Sequence, residues 1–97
     1  MMVTIEYLVE PKDVGSFVQA MAPMRRIRRR DGATSWGLYQ DAAKPGTMAE
    51  IFVVESWLEH LRQHDRVSRA DRVDQDAARS FHRSAEAPVV RHWITPK

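Results

Sequence analysis

The stretch 34-TSWGLYQDAAKPGTMAEIFVVES-56 contains two runs rich in β-branched and aromatic residues, 34-TSWGLYQD-41 and 48-MAEIFVVES-56. Between them, 42-AAKPGT-47 carries the turn dipeptide Pro45-Gly46. The pattern predicts a β-hairpin with a loop longer than the two-residue minimum. Ile51 to Val54 is continuously apolar, which predicts a central strand covered on both faces.

Upstream, residues 3–9 alternate, with Val3, Ile5, Tyr7 and Val9 on one face and Thr4 and Glu6 on the other. That is a strand signature, and Leu8 interrupts its polar face. Pro11 is expected to end the strand, and Asp13 to cap a helix. Val14, Phe17, Val18, Met21 and Met24 recur at helical spacing, and Pro23 within them predicts a kink or a break. The run 25-RRIRRR-30 fills the last helical turns, and Gly32 supplies the stop. Downstream, Ser56-Trp57-Leu58-Glu59 forms a capping box that starts a helix at Trp57. A weaker signal at Ser68 to Asp71 starts another helix, with Ala70, Val73, Ala77 and Phe81 expected on its inner face. The segment 88-PVVRHWIT-95 reads as a closing strand.

The order is therefore β-α-β-β-α(α)-β. It predicts an α+β, ferredoxin-like fold, with right-handed crossovers laying the helices on one face of a four-stranded antiparallel sheet. The other sheet face would be bare. Two copies placed sheet to sheet would cover it and give a dimeric α/β barrel, so a homodimer is the expected partner. The length of 97 residues agrees, because a single domain of this size, residues 1–97, has a marginal core of its own.

Composition narrows the chemistry. Hydrophobic residues at 43% and charged residues at 29% fit an ordered globular chain. The absence of cysteine excludes disulfides, thiolate catalysis and cysteine-based zinc sites, and suits the cytoplasm. No apolar run reaches the ~18 residues of a membrane span, and no signal-peptide pattern opens the chain. Net charge is only +2, yet the isoelectric point is about 9.4 because arginine greatly outnumbers lysine.

The segment 50-EIFVVESWLEHLRQH-64 resembles the strand-to-helix motif of the antibiotic-biosynthesis-monooxygenase-like superfamily of dimeric α/β barrels. Its glutamate, tryptophan and histidine positions fall on Glu55, Trp57 and His64. A second resemblance covers nearly the whole chain. The segments 5-IEYLVEP-11, 25-RRIRRRDGATSWGLYQDAAKPG-46, 53-VVESWLEHLRQHDRV-67 and 91-RHW-93 are similar to the cytosolic C-terminal domain of certain bacterial major facilitator transporters, the transmembrane secretion effector or siderophore-exporter-like group. That resemblance implies a ligand-binding, regulatory or dimerisation module, cytoplasmic and placed at the inner face of the plasma membrane. No catalytic activity is established for that domain as a class. The superfamily also implies an alternative: a cofactor-independent monooxygenase acting on polyphenols, with Trp57 and His64 as catalytic candidates.

Each candidate site has a plain structural counterpart. Trp36, Tyr39, Trp57, His64, His92 and Trp93 could line an apolar pocket for a small aromatic ligand, or could simply be core and interface residues. His60 and His64 have the H-x-x-x-H spacing of a helical metal pair, but nothing nearby completes the three or more ligands most sites need, so we assign no metal. Haem degradation in the superfamily relies on a first-strand asparagine. This chain has no asparagine at all, and no cofactor is expected. Arg25, Arg26, Arg28, Arg29 and Arg30 could contact an anionic membrane surface, or could be a solvated helix end complementing the macrodipole. Nucleic acid is not expected as a partner, since no aromatic platform or recognised motif accompanies them.

Overall fold

The computed structural model describes residues 1–56, 58 and 69–96. Strand β1 (Met2–Leu8) leads through a single 3-10 turn (Pro11–Asp13) into helix α1 (Val14–Arg30). Strands β2 (Ser35–Gln40) and β3 (Thr47–Val53) follow, then helix α2 (Arg69–Arg79) and strand β4 (Val89–Trp93). The sheet has the order β2-β3-β1-β4, and every neighbouring pair is antiparallel. This is the ferredoxin-like arrangement that the element order predicts, with β3 central.

Strand parity divides the side chains. Val3, Tyr7 and Val9 meet Met48, Phe52 and Val54 on the side where α1 contributes Phe17, Met21, Met24 and Ile27. These residues are buried, and Tyr7 and Phe17 lie with ring centroids 5.1 Å apart. The helical stripe read from the sequence is therefore the core stripe. Val18 falls off it and stays exposed.

The ends of α1 show two different outcomes. Asp13 occupies the N-cap position but makes no side-chain capping bond. The 3-10 turn caps the helix instead, with Val14 N–H donating to Pro11 O. At the other end the Gly32 stop is a Schellman motif: φ at Gly32 is +103°, Gly32 N–H donates to Arg29 O, and Ala33 N–H donates to Arg28 O. Pro23 does not break the helix, which runs unbroken from Val14 to Arg30. Gln19, whose carbonyl would have received the missing N–H, is exposed, so water can serve that oxygen.

The hairpin loop closes through Lys44-Pro45-Gly46-Thr47, where Thr47 N–H donates to Lys44 O at 3.1 Å and Gly46 has φ +94°. Proline second and glycine third is the type II arrangement.

Helix α2 corrects the predicted inner face. Its buried residues are Asp71 and Ala78, while Ala70, Val73 and Ala77 are exposed and Phe81 is half-buried. Ala78 packs in the core cluster with Phe17, Met21 and Met24, and Asp71 forms an ion pair with the Arg30 guanidinium, Nη1 to Oδ1 at 3.2 Å. After α2, His82 joins the connection to the sheet. Leu8 N–H donates to His82 Nδ1 at 3.0 Å, which leaves the ring proton on Nε2, 2.9 Å from Glu86 O.

Candidate functional site

Two surfaces and one buried cluster carry the unusual chemistry. The first surface is the sheet face turned away from the helices. Register places Met2, Thr4, Glu6 and Leu8 of β1 there, beside Thr47, Ala49, Ile51 and Val53 of β3, Ser35, Gly37 and Tyr39 of β2, and Val89, Arg91 and Trp93 of β4. No described element packs on this face. Tyr39 is 58% exposed and Trp93 51%, with Met2, Leu8 and Val89 also open. The face is lightly structured: Trp93 Nε1–H donates to Thr4 Oγ1 at 2.9 Å, and the Tyr39 ring lies flat over Gly37. A Cβ at Gly37 would stand 2.5 Å from the Tyr39 hydroxyl, so only glycine lets the ring lie down there.

The cluster is built on Glu50, fully buried in the central strand. Arg28 grips it with two bonds, Nε–Oε2 at 2.9 Å and Nη2–Oε1 at 3.2 Å. Trp36 Nε1–H donates to Oε2 at 2.8 Å. The Arg28 guanidinium also stacks on the Phe52 ring, 4.6 Å from its centroid. Burial pushes the Tyr7 hydroxyl up from 10.0 to about 12, the Glu50 charge adds to the rise, and Arg28 and Arg79 oppose it. The folded chain thus holds this proton more tightly than the unfolded one. The stability this contributes is complete below pH 10 and is lost as pH rises towards 12. We expect Tyr7→Phe to remove an alkaline fall on the order of 2–3 kcal/mol, read as a flatter urea midpoint across that window.

The second surface is the outward side of α1, where Ala22, Arg25, Arg26, Arg29 and Arg30 border a shallow groove of about 560 Å³.

The sequence candidates separate accordingly. Trp36 points into the core as a donor to Glu50, while Tyr39, three residues along the same strand, lies on the bare face. His92 is on the helix side of β4 and Trp93 on the bare side. Since β2 and β4 are opposite edges, Trp36 and Tyr39 are not brought together with His92 and Trp93 in one pocket of a single chain. Trp57, His60 and His64, with the capping glutamate Glu59 and the Ser68 helix signal, lie outside the described residues. Among the described residues no cluster of His, Asp or Glu could hold a metal ion. Of the five arginines, Arg28 turns inward to Glu50, and Arg30 is held by Asp31 and Asp71.

Sequence reasoning passed over Glu50, assigned Arg28 to an anionic surface and read Asp71 only as part of a helix start, so it missed both internal ion pairs. A signal for the first two was present: Glu50 is the lone acid in an otherwise apolar strand, and Arg28 lies four residues after Met24, in phase with the buried stripe.

The fold is the small α+β, ferredoxin-like domain also seen in solved structures of antibiotic biosynthesis monooxygenases. The Bordetella bronchiseptica protein grouped with those enzymes superposes with a TM-score of 0.79 at 18% identity, covering 99% of this chain and 96% of that one. A Caulobacter crescentus counterpart gives 0.77 at 13% identity, with 99% and 89% covered. A mutant of SnoaB, a cofactor-independent oxygenase from Streptomyces nogalater, gives 0.69 at 15% identity, with 99% and 91% covered. At these identities the likeness shows the fold alone. No curated protein matches the chain in sequence. Residues 1–97 match the family model described as transmembrane secretion effector, and the chain belongs to that family. Among the described residues no helix is long and apolar enough to cross a membrane.

Proposed function

We propose that the chain is a dimerisation domain on the cytoplasmic side of a secretion exporter, two copies packing bare sheet face to bare sheet face. The observation that carries this is the apolar character of that face, centred on Ile51 and Val53 and flanked by Tyr39 and Trp93 at opposite edges. Exposed Met2, Leu8, Tyr39, Val89 and Trp93 on one face of a small domain cost free energy in water and favour an interaction surface, with Thr4, Glu6 and Arg91 interspersed among them. A twofold dimer uses the same patch on both copies, so one uncovered sheet face is enough to build a closed pair. The family description supplies the exporter context. An oxygenase reading draws on the fold shared with SnoaB, but it has less support, because the described aromatic candidates are divided between two faces and two edges.

Light scattering on the purified chain tests the proposal, with an expected mass of twice the 11.2 kDa of one chain. Ile51→Lys leaves the core untouched but places an unpaired charge at the interface of each copy. It should raise the dissociation constant about a hundredfold or more, with the far-ultraviolet spectrum unchanged. A wild-type chain that stays monomeric at high concentration overturns the proposal.

A further inference from the structure

The five arginines of α1 fall into two groups. Arg28 and Arg30 are bound to internal acids. Arg25, Arg26 and Arg29 are exposed, and among the described residues no ion pair engages them. Residues 14–30 contain no Asp or Glu, so nothing on the helix neutralises the three free charges. At 100° per residue, Val18, Ala22, Arg25, Arg26 and Arg29 share one side of α1, opposite the core stripe. Ala22 lets the guanidiniums approach across the groove floor, and exposed Val18 extends the same face by one turn.

We infer that this side of α1 is a docking surface for an anionic lipid bilayer, with Arg25, Arg26 and Arg29 binding headgroup phosphates and Val18 meeting the lipid–water boundary. Guanidinium is the side-chain group best matched to phosphate oxygens, and clustered basic residues near an anionic leaflet add their attractions. The family's transmembrane character makes a bilayer the fitting anionic partner. A nucleic acid fits less well, because the only aromatic residue on α1, Phe17, is fully buried and the face offers no aromatic stacking platform. The inference does not rest on the sheet-to-sheet dimer, since one chain carries the whole face and light scattering reads the dimer separately.

The test is co-sedimentation of the whole chain with vesicles of phosphatidylcholine alone or with phosphatidylglycerol added. Binding should require phosphatidylglycerol and weaken with salt. The combined variant Arg25→Gln, Arg26→Gln, Arg29→Gln should lower the partition coefficient about a hundredfold, at roughly fivefold per arginine. The equal-charge control Arg69→Gln, Arg72→Gln, Arg79→Gln, exposed on α2, should retain most of the binding. Equal loss in the two variants would show general charge attraction and overturn the inference. So would displacement from vesicles by millimolar inorganic phosphate, which would mark a free-phosphate site. Binding of a single-stranded oligonucleotide that needs the three arginines, in a chain that ignores vesicles, would assign the face to nucleic acid instead.

Discussion

Arg28→Ala is expected to destabilise the fold by about 3–5 kcal/mol, the cost of leaving a buried charge without its partner. Glu50 has no exposure to water, and both of its oxygens accept from Arg28. Without Arg28 the carboxylate would keep only the Trp36 N–H, and the cation over Phe52 would be lost as well. A domain of this size has roughly 5–15 kcal/mol in total, so the variant should unfold far earlier in urea. The pair itself need not be a net source of stability. The desolvation of two ions offsets most of their attraction, so Arg28→Met combined with Glu50→Leu should recover all but about 1–3 kcal/mol, the cost of the stranded Trp36 donor. The cluster's contribution is then specificity: it fixes α1 against β3 in one register. Titrations should be run at one protein concentration, because a dimer's apparent stability depends on it. A loss below about 1 kcal/mol for Arg28→Ala would show that the pair is solvated and the account wrong.

The architecture was legible wherever a single periodicity governed a segment. Val3, Ile5, Tyr7 and Val9 alternate because one side of β1 faces the core, and the order β2-β3-β1-β4 follows from the element sequence and the hairpin. Gly32 and Gly46 marked real chain reversals, since each has positive φ. Legibility failed where a contact distant in sequence outweighed the local pattern. Val73 and Ala77 look like a core face, but Ala78 is the residue packed into the core cluster, and Asp71 on the same helix pairs with Arg30, 41 residues away in sequence. Pro23 reads as a breaker, yet the helix runs through it from Val14 to Arg30, and Gln19, one turn before it, is an exposed residue. The placement of the aromatic and histidine candidates was not legible from residue type alone, because strand parity puts neighbours such as His92 and Trp93 on opposite faces. The arginine run was visible, but its division into internal partners and free charges depends on where Glu50 and Asp71 lie in space.

Gly46→Ala should cost on the order of 2–5 kcal/mol, from about 1–3 for a strained backbone and about 1–3 for a lost buried hydrogen bond. With φ at +94°, an added Cβ would stand 2.1 Å from Val9 O, a backbone atom that cannot swing aside. Relief requires the hairpin loop to move away from the end of β1. That movement breaks the bond in which Val9 N–H donates to Gly46 O at 2.7 Å. Gly46 is itself buried, so the freed groups are not simply handed to water. Gly32 provides the internal comparison. Its φ of +103° carries the same conformational objection to a side chain, but nothing lies within 4 Å of its would-be Cβ. Gly32→Ala should therefore cost only the backbone share, about 1–2 kcal/mol. The difference between the two midpoints isolates the clash from the conformation. Equal losses at the two glycines would mean that the loop does not press on Val9. That would leave the β1–β3 pairing from Met2↔Val53 to Leu8↔Thr47 as what holds the hairpin to β1, with the loop contributing little.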